Sequence, residues 1–405
     1  MSGAGRTIAL FPWGDVIEEF LDPIGLTVGD FASQMTGGWL FGYVAAFQQA
    51  DWRPIIIAAS EKVRDTTRLD HAGSGAPIWL VPGRRSKPGR SPSVLSMKRW
   101  LCTPYHALRK VIEAEQCAAL LIQEYEYCRF DILVRLAHRL GIAAIATFQG
   151  GDRTLSWIEG QVRPRSMALC SGLLIASSGE QARVERTYRN HPPILGIPNP
   201  LDTEEWRATD RLLARRELGL PADAFIAVNH GRIDIHRKGL DILLAAWAAA
   251  RREDRLVVIG SGQDQAEFSR LLDSGGLENV HWISSYTTDR ALVRRWLSAA
   301  DIYITASRVE GMPVAPLEAM ACGLPIVATD AQGLPDILDA GEASGGLLVA
   351  RDDVAALAAA IDTLRRDPER RQRLGEAARR RVEHSFSTRS VSAALDQLVG
   401  SLIRR

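Results

Sequence analysis

Two glutamates, Glu310 and Glu318, stand with seven residues between them in the segment SRVEGMPVAPLEAMACG, from Ser307 to Gly323. The rest of this segment is apolar and is interrupted by glycine and proline. A carboxylate accepts two hydrogen bonds side by side, which is the geometry that the vicinal diol of a sugar offers. The alternative is a loop acid followed by an acid that complements a helix dipole.

Proline and glycine indicate where these glutamates lie. Pro313 and Pro316 are tolerated only near the start of a helix, so a helix is predicted from about Pro313. Gly323 ends that helix. Glu310 is therefore expected in the loop between a strand and the helix, and Glu318 inside the helix.

The start of this helix favours a negatively charged ligand. The backbone amides of Gly311, Met312 and Val314 are expected to point towards an anion there. A phosphate would repel carboxylates placed directly against it, so the glutamates must face neutral donors on either side. A sugar nucleotide has this layout, with Glu310 on the hexose diol and Glu318 on the ribose diol.

A second segment, VNHGRIDIHRKGLDIL, carries two cations beside glycines. Gly231 allows a close turn, Arg232 can fork onto phosphate oxygens, and Lys238 adds a point charge near a helix that begins at about Gly239. Surface cations on an ordinary loop are the alternative. The sequence has no Asp-x-Asp motif, so two cations at the diphosphate predict a site without a metal or other cofactor.

Continuous apolar runs alternate with helical patterns along the chain, and such runs are typical of strands buried on both faces of a parallel sheet. The fold class predicted is therefore α/β, with two doubly wound, Rossmann-like domains. The predicted strands are IALF from Ile8, IIIAA from Ile55, IWLV from Ile78, ALLI from Ala119, AAIAT from Ala143, GLLIA from Gly172, FIAVN from Phe225, LVVIG from Leu256, VHWIS from Val280, DIYITA from Asp301 and PIVAT from Pro325.

The domain boundary is predicted near ILGIPNPLDTEEW, where Pro198, Asn199 and Pro200 interrupt the pattern. Residues 1–200 form the first predicted domain and residues 201–384 the second, and the last pattern, in residues 385–405, is amphipathic and must bury its apolar stripe. Ligands of open α/β sheets bind at the carboxyl ends of the strands, so the motifs are expected to meet in a cleft there.

The bulk composition excludes several classes of partner. The 405 residues are 46% hydrophobic, as in a globular protein with a substantial core. Their net charge of only +1 gives no overall positive electrostatic field that would attract nucleic acid. The sequence shows neither a secretory signal pattern nor a membrane-spanning run, and its five cysteines lack metal spacing. A cytoplasmic protein is expected. The basic segment PGRRSKPGRSPS from Pro82 leaves peripheral membrane contact open as a further interaction.

The second half of the chain resembles the retaining glycosyltransferases of family 4, which have the GT-B fold. The resemblance lies in "GR" with "KG" six residues on, in LVVIGSGQD, in ASRVEGMPVAPLEAMACGLPIVATDAQGLPDI with its E-x(7)-E motif, and in FSTRSVSAALDQL. It implies that Glu310 binds the donor hexose, Glu318 the ribose, and Arg232 and Lys238 the diphosphate. Glu310, Arg232 and Lys238 would then be the catalytic residues.

Weaker likeness extends the implied site. The pair Gly37 and Gly38 would bring backbone amides close to the donor. The segment VHWISSYTT resembles the base-binding loop of the family, which places Ser284 and Tyr286 near the nucleobase. The resemblance also implies that residues 1–200 form the acceptor-side domain and residues 201–384 the nucleotide-sugar domain. It further implies that the C-terminal helix, in residues 385–405, crosses back and packs on the first domain.

One position departs from the family pattern. Many members have a histidine where this chain has Gln149 in AAIATFQGGDRT, and glutamine cannot accept a proton. Asp152 is a second candidate on the acceptor side, with a turn or helix cap as its alternative. The family's internal-return mechanism would let the departing diphosphate oxygen take the acceptor proton. The long first loop from Trp13 to Gly38 is a candidate specificity element.

The function expected is transfer of a hexose, with retention, from a nucleotide diphosphate sugar to an acceptor hydroxyl. A UDP-sugar is the expected donor, and the acceptor is a small molecule, a lipid or a polysaccharide. Two alternatives stay open: a GT-B nucleotide-sugar epimerase, and a catalytically silent sugar-nucleotide-binding partner. The oligomeric state is not predicted.

Overall fold

A computed structural model describes residues 6–36, 38–87, 91–150, 154–248, 253–284 and 289–403. The chain forms two compact units. The first consists of Met1–Pro200 and Thr388–Arg405, and the second of Leu201–Ser387. Each unit is an α/β structure built on its own sheet, as the alternating apolar runs predict.

The described strands of the first unit form a sheet in the order β3-β4-β2-β1-β5-β6-β7-β8. Its neighbours pair in parallel except β3 and β4, which are antiparallel. The strands are β1 Thr7–Phe11, β2 Arg53–Ser60, β3 Thr67–Asp70, β4 Pro77–Pro82, β5 Cys117–Gln123, β6 Ala143–Thr147, β7 Gly172–Leu174 and β8 Ile194–Leu195.

The described helices of the first unit connect these strands, and the last one comes from the end of the chain. They are α1 Glu18–Leu21, α2 Val28–Ser33, α3 Gly38–Gln49, α4 Pro92–Cys102, α5 Tyr105–Ala114, α6 Arg129–Leu140, α7 Trp157–Leu169, α8 Ser178–Thr187 and α18 Thr388–Ile403, with a 3-10 turn at Asp22–Ile24.

The second unit has a parallel sheet in the order β11-β10-β9-β12-β13-β14 among its described strands. These are β9 Ile226–His230, β10 Arg255–Ile259, β11 Val280–Ile283, β12 Ile302–Thr305, β13 Ile326–Thr329 and β14 Gly346–Val349. The helices are α9 Arg211–Glu217, α10 Ile235–Lys238, α11 Leu240–Trp247, α12 Gln265–Gly275, α13 Arg290–Ala299, α14 Val314–Ala321, α15 Leu334–Ile337, α16 Val354–Arg366 and α17 Pro368–Ser385, with a 3-10 turn at Gly341–Ser344.

Burial on both faces explains the continuous apolar runs. In β1, Ala9 and Phe11 belong to one core cluster, while Ile8 and Leu10 belong to the cluster on the opposite face. Successive side chains of a strand point to opposite faces, so a strand covered by helices on both sides needs an apolar residue at every position. The predicted fold class is confirmed.

The eleven apolar runs all contain a strand, but three of the strands in the described residues were not predicted. Antiparallel β3 has the sequence TRLD and is largely exposed, so it carries no apolar run. Strand β8 has only two residues, and β14 is a short run, GLLV. The predicted long first loop contains α1 and α2, and α2 begins with a capping box between Thr27 and Asp30.

The C-terminal helix α18 packs on the first unit, mainly against α3. Its apolar stripe, Val391, Leu395, Leu398 and Val399, lies in the core cluster that also covers β1. Full burial of such side chains contributes about 2 kcal/mol each, so the stripe anchors the helix firmly. Among the described residues, no helix combines the length and apolarity that crossing a membrane requires.

Candidate active site

The carboxyl ends of β9, β12 and β13 meet at one edge of the second sheet, and their loops pack backbone against backbone. Gly239 has φ +59°, and a Cβ there would lie 1.9 Å from the carbonyl oxygen of Ala306. Gly333 has φ +84°, and its Cβ would lie 1.8 Å from the carbonyl oxygen of Gly311. Only glycine fits either position, because a side chain would overlap the neighbouring backbone. These contacts fix the loop that carries Glu310.

Glu310 lies in the loop between β12 and α14, as its sequence context predicts, and only 9% of it is exposed. Its Oε1 accepts hydrogen bonds from Lys238 Nζ at 2.6 Å and from Ser307 Oγ at 2.6 Å. Ser307 is held in turn, since its carbonyl oxygen accepts from Thr329 Oγ1 at 2.6 Å. The carboxylate is therefore preorganised, and both donors engage the same oxygen. Oε2 has no hydrogen-bond partner among the described residues.

The two predicted phosphate-binding cations differ in their surroundings. Lys238 ends the short helix α10 and forms an ion pair with Glu310. The sequence predicted Lys238 as a cation for the diphosphate but did not predict this ion pair. An ammonium has three donor hydrogens, so a lysine with one glutamate partner can still bind an anion. Arg232 is exposed and forms no ion pair within the described part of the chain. It is available to a ligand from solvent.

Glu318 lies inside α14, one turn from its start, and its side chain is 13% exposed. Its Oε2 is 2.7 Å from His230 Nε2. The ring of His230 stands edge-on to Tyr303, whose hydroxyl donates to the carbonyl oxygen of His230 at 3.1 Å. This pairing was not predicted, although His230 lies in the segment VNHGRIDIHRKGLDIL, directly before Gly231, and ends a buried strand. It orients Glu318 by fixing one of its two oxygens.

The start of α14 has no side-chain cap. Pro313 is the N-cap residue, and it makes no side-chain hydrogen bond to the first turn of the helix. The first backbone amides of a helix have no partner within it, and they favour an anion. Gly311 and Met312 precede this point, and Met312 is buried. The helix start therefore suits a phosphate group between the two glutamates.

The remaining predicted donor residues are less informative. Ser284 is exposed after β11, and its carbonyl oxygen accepts from Gln265 Nε2 at 3.0 Å. Gly38 is the first residue of α3. Gly37 and Tyr286 lie outside the described residues, as does Asp152 on the predicted acceptor side.

In the first unit, Gln149 follows β6 at the carboxyl edge of the sheet. Its side-chain nitrogen donates to Thr147 Oγ1 at 3.0 Å and to Asn199 Oδ1 at 3.2 Å, and its Oε1 accepts from Asn199 Nδ2 at 3.1 Å. Both amide hydrogens are thus used within the protein. The side chain ties the β6 loop to the segment before Pro200, and it keeps at most a free lone pair for a ligand.

Glu124 follows β5 at the same edge and was not predicted. It has φ +76°, which is unusual for a residue with a Cβ and costs about 1 kcal/mol or more. Its Oε1 accepts from the backbone nitrogen of Glu126 at 3.0 Å, and its Oε2 from that of Gln149 at 3.0 Å. Burial is the main cause that raises its pKa to about 7. The only sequence signal was a charged residue two positions after the apolar run ALLI.

A polar cluster surrounds Asp15 at the carboxyl edge near β1 and β4. Its Oδ1 accepts from the Tyr127 hydroxyl at 3.0 Å, and its Oδ2 from the backbone nitrogen of Ser86 at 3.0 Å. Ser86 Oγ, Arg99 Nε and Arg129 Nε are buried without a hydrogen-bond partner in the described part of the chain. A buried group left unpaired costs about 1–3 kcal/mol, so this edge favours a polar ligand or water.

The match to a protein family falls on the second unit. Residues 210–381 match the family model described as glycosyl transferases group 1. The second unit is similar to this family. The matched range includes Arg232, Lys238, Glu310 and Glu318.

A curated relative and two solved structures extend the likeness. The chain is 33% identical over 283 residues to the D-inositol 3-phosphate glycosyltransferase of Saccharomonospora viridis, covering 65% of this chain and 63% of that protein. It thus spans less than two thirds of this relative. The sucrose-phosphate synthase of Thermosynechococcus elongatus has a TM-score of 0.80 at 20% identity, covering 98% of this chain and 99% of that one.

The second structure is HepE of Anabaena in complex with UDP-glucose. Its TM-score is 0.72 at 15% identity, and the match covers 98% of this chain and 99% of that chain. At these identities the two structures show a shared fold. The fold is that of the GT-B glycosyltransferases, as the sequence predicts.

Proposed function

We propose that this protein is a retaining glycosyltransferase that moves a hexose from a nucleotide diphosphate sugar, with UDP as the nucleotide, to an acceptor hydroxyl. The observation that carries the proposal is the fixed carboxylate of Glu310. It lies between Lys238 and Ser307, in the loop before an uncapped helix that contains Glu318.

Each part of the donor has a partner of matching chemistry. Glu310 keeps one oxygen for the hexose hydroxyls, and Glu318, oriented by His230, keeps one for the ribose. Lys238, Arg232 and the start of α14 supply positive charge to the diphosphate. This charge stabilises the leaving group while its bond to the anomeric carbon breaks, which is the main electrostatic demand of the reaction.

The relatives support both the reaction and the donor. The Saccharomonospora viridis protein is named a glycosyltransferase, and HepE was crystallised with UDP-glucose. On the acceptor side, the polar cluster around Asp15 lies at the carboxyl edge of the first sheet, where open α/β sheets bind their ligands. We propose that the first unit binds the acceptor there. The side-chain amide hydrogens of Gln149 contribute little to acceptor binding, because they are donated to Thr147 and Asn199.

A donor screen tests the proposed function. The melting temperature of the protein is measured with UDP-glucose, ADP-glucose and GDP-mannose, and release of the nucleotide is then followed with and without acceptor alcohols. Stabilisation by UDP-glucose and faster UDP release with an acceptor are expected. Conversion of the sugar without any acceptor would instead indicate an epimerase, and no response to any nucleotide sugar would contradict the proposal.

Removal of either predicted phosphate-binding cation should weaken nucleotide binding selectively. Lys238→Ala and Arg232→Ala are each expected to weaken UDP binding about 10- to 100-fold, because a charge-assisted hydrogen bond to phosphate is worth about 1.5–3 kcal/mol. Uridine has no phosphate, so its affinity should change less than about twofold. Calorimetric titration with both ligands measures this difference.

A matched control separates phosphate binding from a general loss of charge. Arg366→Ala removes an exposed cation that pairs with Asp362 at the end of α16. It should leave the affinity for UDP unchanged. Equal losses for UDP and uridine in the Lys238 and Arg232 variants would rule out the phosphate assignment.

Activity is expected to survive treatment with EDTA, since Lys238, Arg232 and the helix start supply the charge that a metal would provide. UDP release is measured after chelation and after addition of Mg²⁺. Complete loss of activity that Mg²⁺ restores would show that a metal takes part.

A further inference from the structure

The exposed apolar side chains of this protein are not scattered evenly over its surface. Among the described residues six large apolar side chains are exposed, and three of them lie on α4 and at the start of α7: Leu101 at 85%, Trp157 at 76% and Met97 at 42%. A single exposed apolar residue is ordinary on a protein surface, whereas a group of them marks a binding surface. These three residues are called the apolar patch below.

Helix geometry and one side-chain contact bring the members of the apolar patch together. Met97 and Leu101 are four residues apart in α4, so they lie on one face of that helix. Ser96, next to Met97, is buried against α7, where its hydroxyl oxygen is 2.9 Å from Ser156 Oγ. Trp157 directly follows Ser156 and is the first residue of α7. The apolar patch therefore extends over two helices that pack against each other.

The chain around α4 is strongly basic, although the whole protein is nearly neutral. Residues 71–112 contain no aspartate or glutamate, whereas the net charge of all 405 residues is only +1. Carboxylates from outside this range pair with Arg85, Arg99 and Arg109. The eight cations of the range are Arg84, Arg85, Lys87, Arg90, Lys98, Arg99, Arg109 and Lys110. Such a local excess of positive charge favours an anionic partner.

The basic segment PGRRSKPGRSPS lies beside the helix that carries most of the apolar patch, since it leads directly into α4. Asp15 also joins the two, because its Oδ2 accepts from the backbone nitrogen of Ser86 at 3.0 Å and lies 3.8 Å from Arg99 Nε. Arg84 and Lys87 flank this contact. Both are exposed, and neither forms an ion pair within the described part of the chain. Two cations without a carboxylate partner thus accompany the exposed apolar side chains.

We propose that α4, the start of α7 and the basic segment form a docking surface for a membrane that contains anionic lipids. The apolar patch enters the boundary between headgroups and acyl chains, where the ring of Trp157 is buried and its N–H stays near water. Arg84 and Lys87 bind lipid phosphates. A second copy of this chain fits the surface less well, because a symmetric contact would place like charges together. Membrane docking is independent of the proposed function, so either can fail without the other.

Vesicle binding tests this surface directly. The intact protein is sedimented with vesicles of phosphatidylcholine alone, or of phosphatidylcholine and phosphatidylglycerol in equal amounts, without any nucleotide sugar. The wild type should bind the anionic vesicles about 10-fold more tightly or better, because each cation near an anionic surface strengthens binding several-fold. Added salt should reduce this preference, since it screens exposed charges. Equal binding to both kinds of vesicle, or no binding to either, would overturn the proposal.

Two double variants separate the apolar from the charged contribution. The apolar variant, Leu101→Gln with Trp157→Gln, should bind anionic vesicles about 10-fold more weakly or worse, because it buries less apolar surface in the lipid. The charge variant, Arg84→Gln with Lys87→Gln, should also lose about 10-fold and most of its preference for phosphatidylglycerol. All four side chains are exposed, so the melting temperature of both variants should match the wild type.

Matched double variants on the second unit are the controls. Leu212→Gln with Leu213→Gln removes two exposed apolar side chains of α9, and Arg373→Gln with Arg380→Gln removes two exposed cations of α17. Both should bind anionic vesicles as the wild type does. Losses in the controls equal to those in the apolar and charge variants would contradict a specific surface. Self-association of the wild type that the apolar variant abolishes, measured by light scattering without vesicles, would assign the patch to a second copy and overturn the proposal.

Discussion

Replacement of Glu310 by glutamine is expected to lower turnover by about 10³-fold while UDP still binds. The carboxylate of Glu310 is held by Lys238 and Ser307, so its free oxygen is directed before the substrate arrives. Preorganised polar groups of this kind contribute about 10²–10³ in rate when one is removed. An amide nitrogen in place of an oxygen would also face the Lys238 ammonium or the hexose hydroxyls with the wrong polarity. The measurement is the turnover number at saturating UDP-glucose.

The control for this variant is Glu342→Gln. Glu342 lies in the 3-10 turn Gly341–Ser344 and pairs with Arg370, with about half of its side chain exposed. This change should leave turnover within about twofold, since exposed ion pairs contribute at most about 1 kcal/mol. Undiminished turnover in Glu310→Gln would remove Glu310 from the reaction. Loss of UDP binding together with turnover would indicate a structural role instead.

Gly333→Ala is expected to destabilise the second unit by about 3 kcal/mol or more and to abolish donor binding. Its Cβ would lie 1.8 Å from the carbonyl oxygen of Gly311, so either backbone must move. Overpacking costs about 1–3 kcal/mol, and a non-glycine residue in a left-handed conformation adds about 1 kcal/mol. Because Gly311 follows Glu310, the displacement would also move the carboxylate. Denaturant unfolding and UDP titration measure the two effects.

Gly276→Ala is the control that separates the steric overlap at Gly333 from the cost of the left-handed backbone, because Gly276 has that backbone but no close neighbour. Gly276 has φ +59° at the end of α12, and a Cβ there would meet no atom within 4 Å. This variant should lose only about 1 kcal/mol and keep its affinity for UDP. If Gly333→Ala were no more harmful than Gly276→Ala, close packing of the loops would not be what positions Glu310.

Most strands that the sequence identified are buried on both faces, and their runs are apolar at consecutive positions, as a parallel sheet covered by helices demands. The exception is the edge strand β11, which is partly exposed and contains His281. Strands β3, β8 and β14 were missed, and each of them is an edge strand of its sheet: β3 is largely exposed, β8 has only two residues, and β14 is partly exposed. Local composition therefore predicted the centre of each sheet better than its edges.

The helix around Glu318 could be predicted for a different reason. Proline and glycine restrict the backbone locally, so Pro313 and Gly323 bracket α14, which runs from Val314 to Ala321. The position of Glu310 in the preceding loop follows from the same local rule. The assignment of Glu310, Glu318, Arg232 and Lys238 to parts of a sugar nucleotide stays a prediction, with the experiments above as its tests.

By itself, the sequence determined the α/β class, most strands, and the placement of two glutamates at the start of a helix, because all three depend on residues close together in the chain. Only the tertiary structure decided which groups meet. The partners of Glu310 and Glu318, Lys238 and His230, lie 72 and 88 residues away, on loops that the sheet order brings to one edge. Glu124 likewise belongs to no motif. Its raised pKa arises from burial and from neighbouring carboxylates, one of them on another element. Residue spacing in the sequence does not predict burial or contacts of this kind.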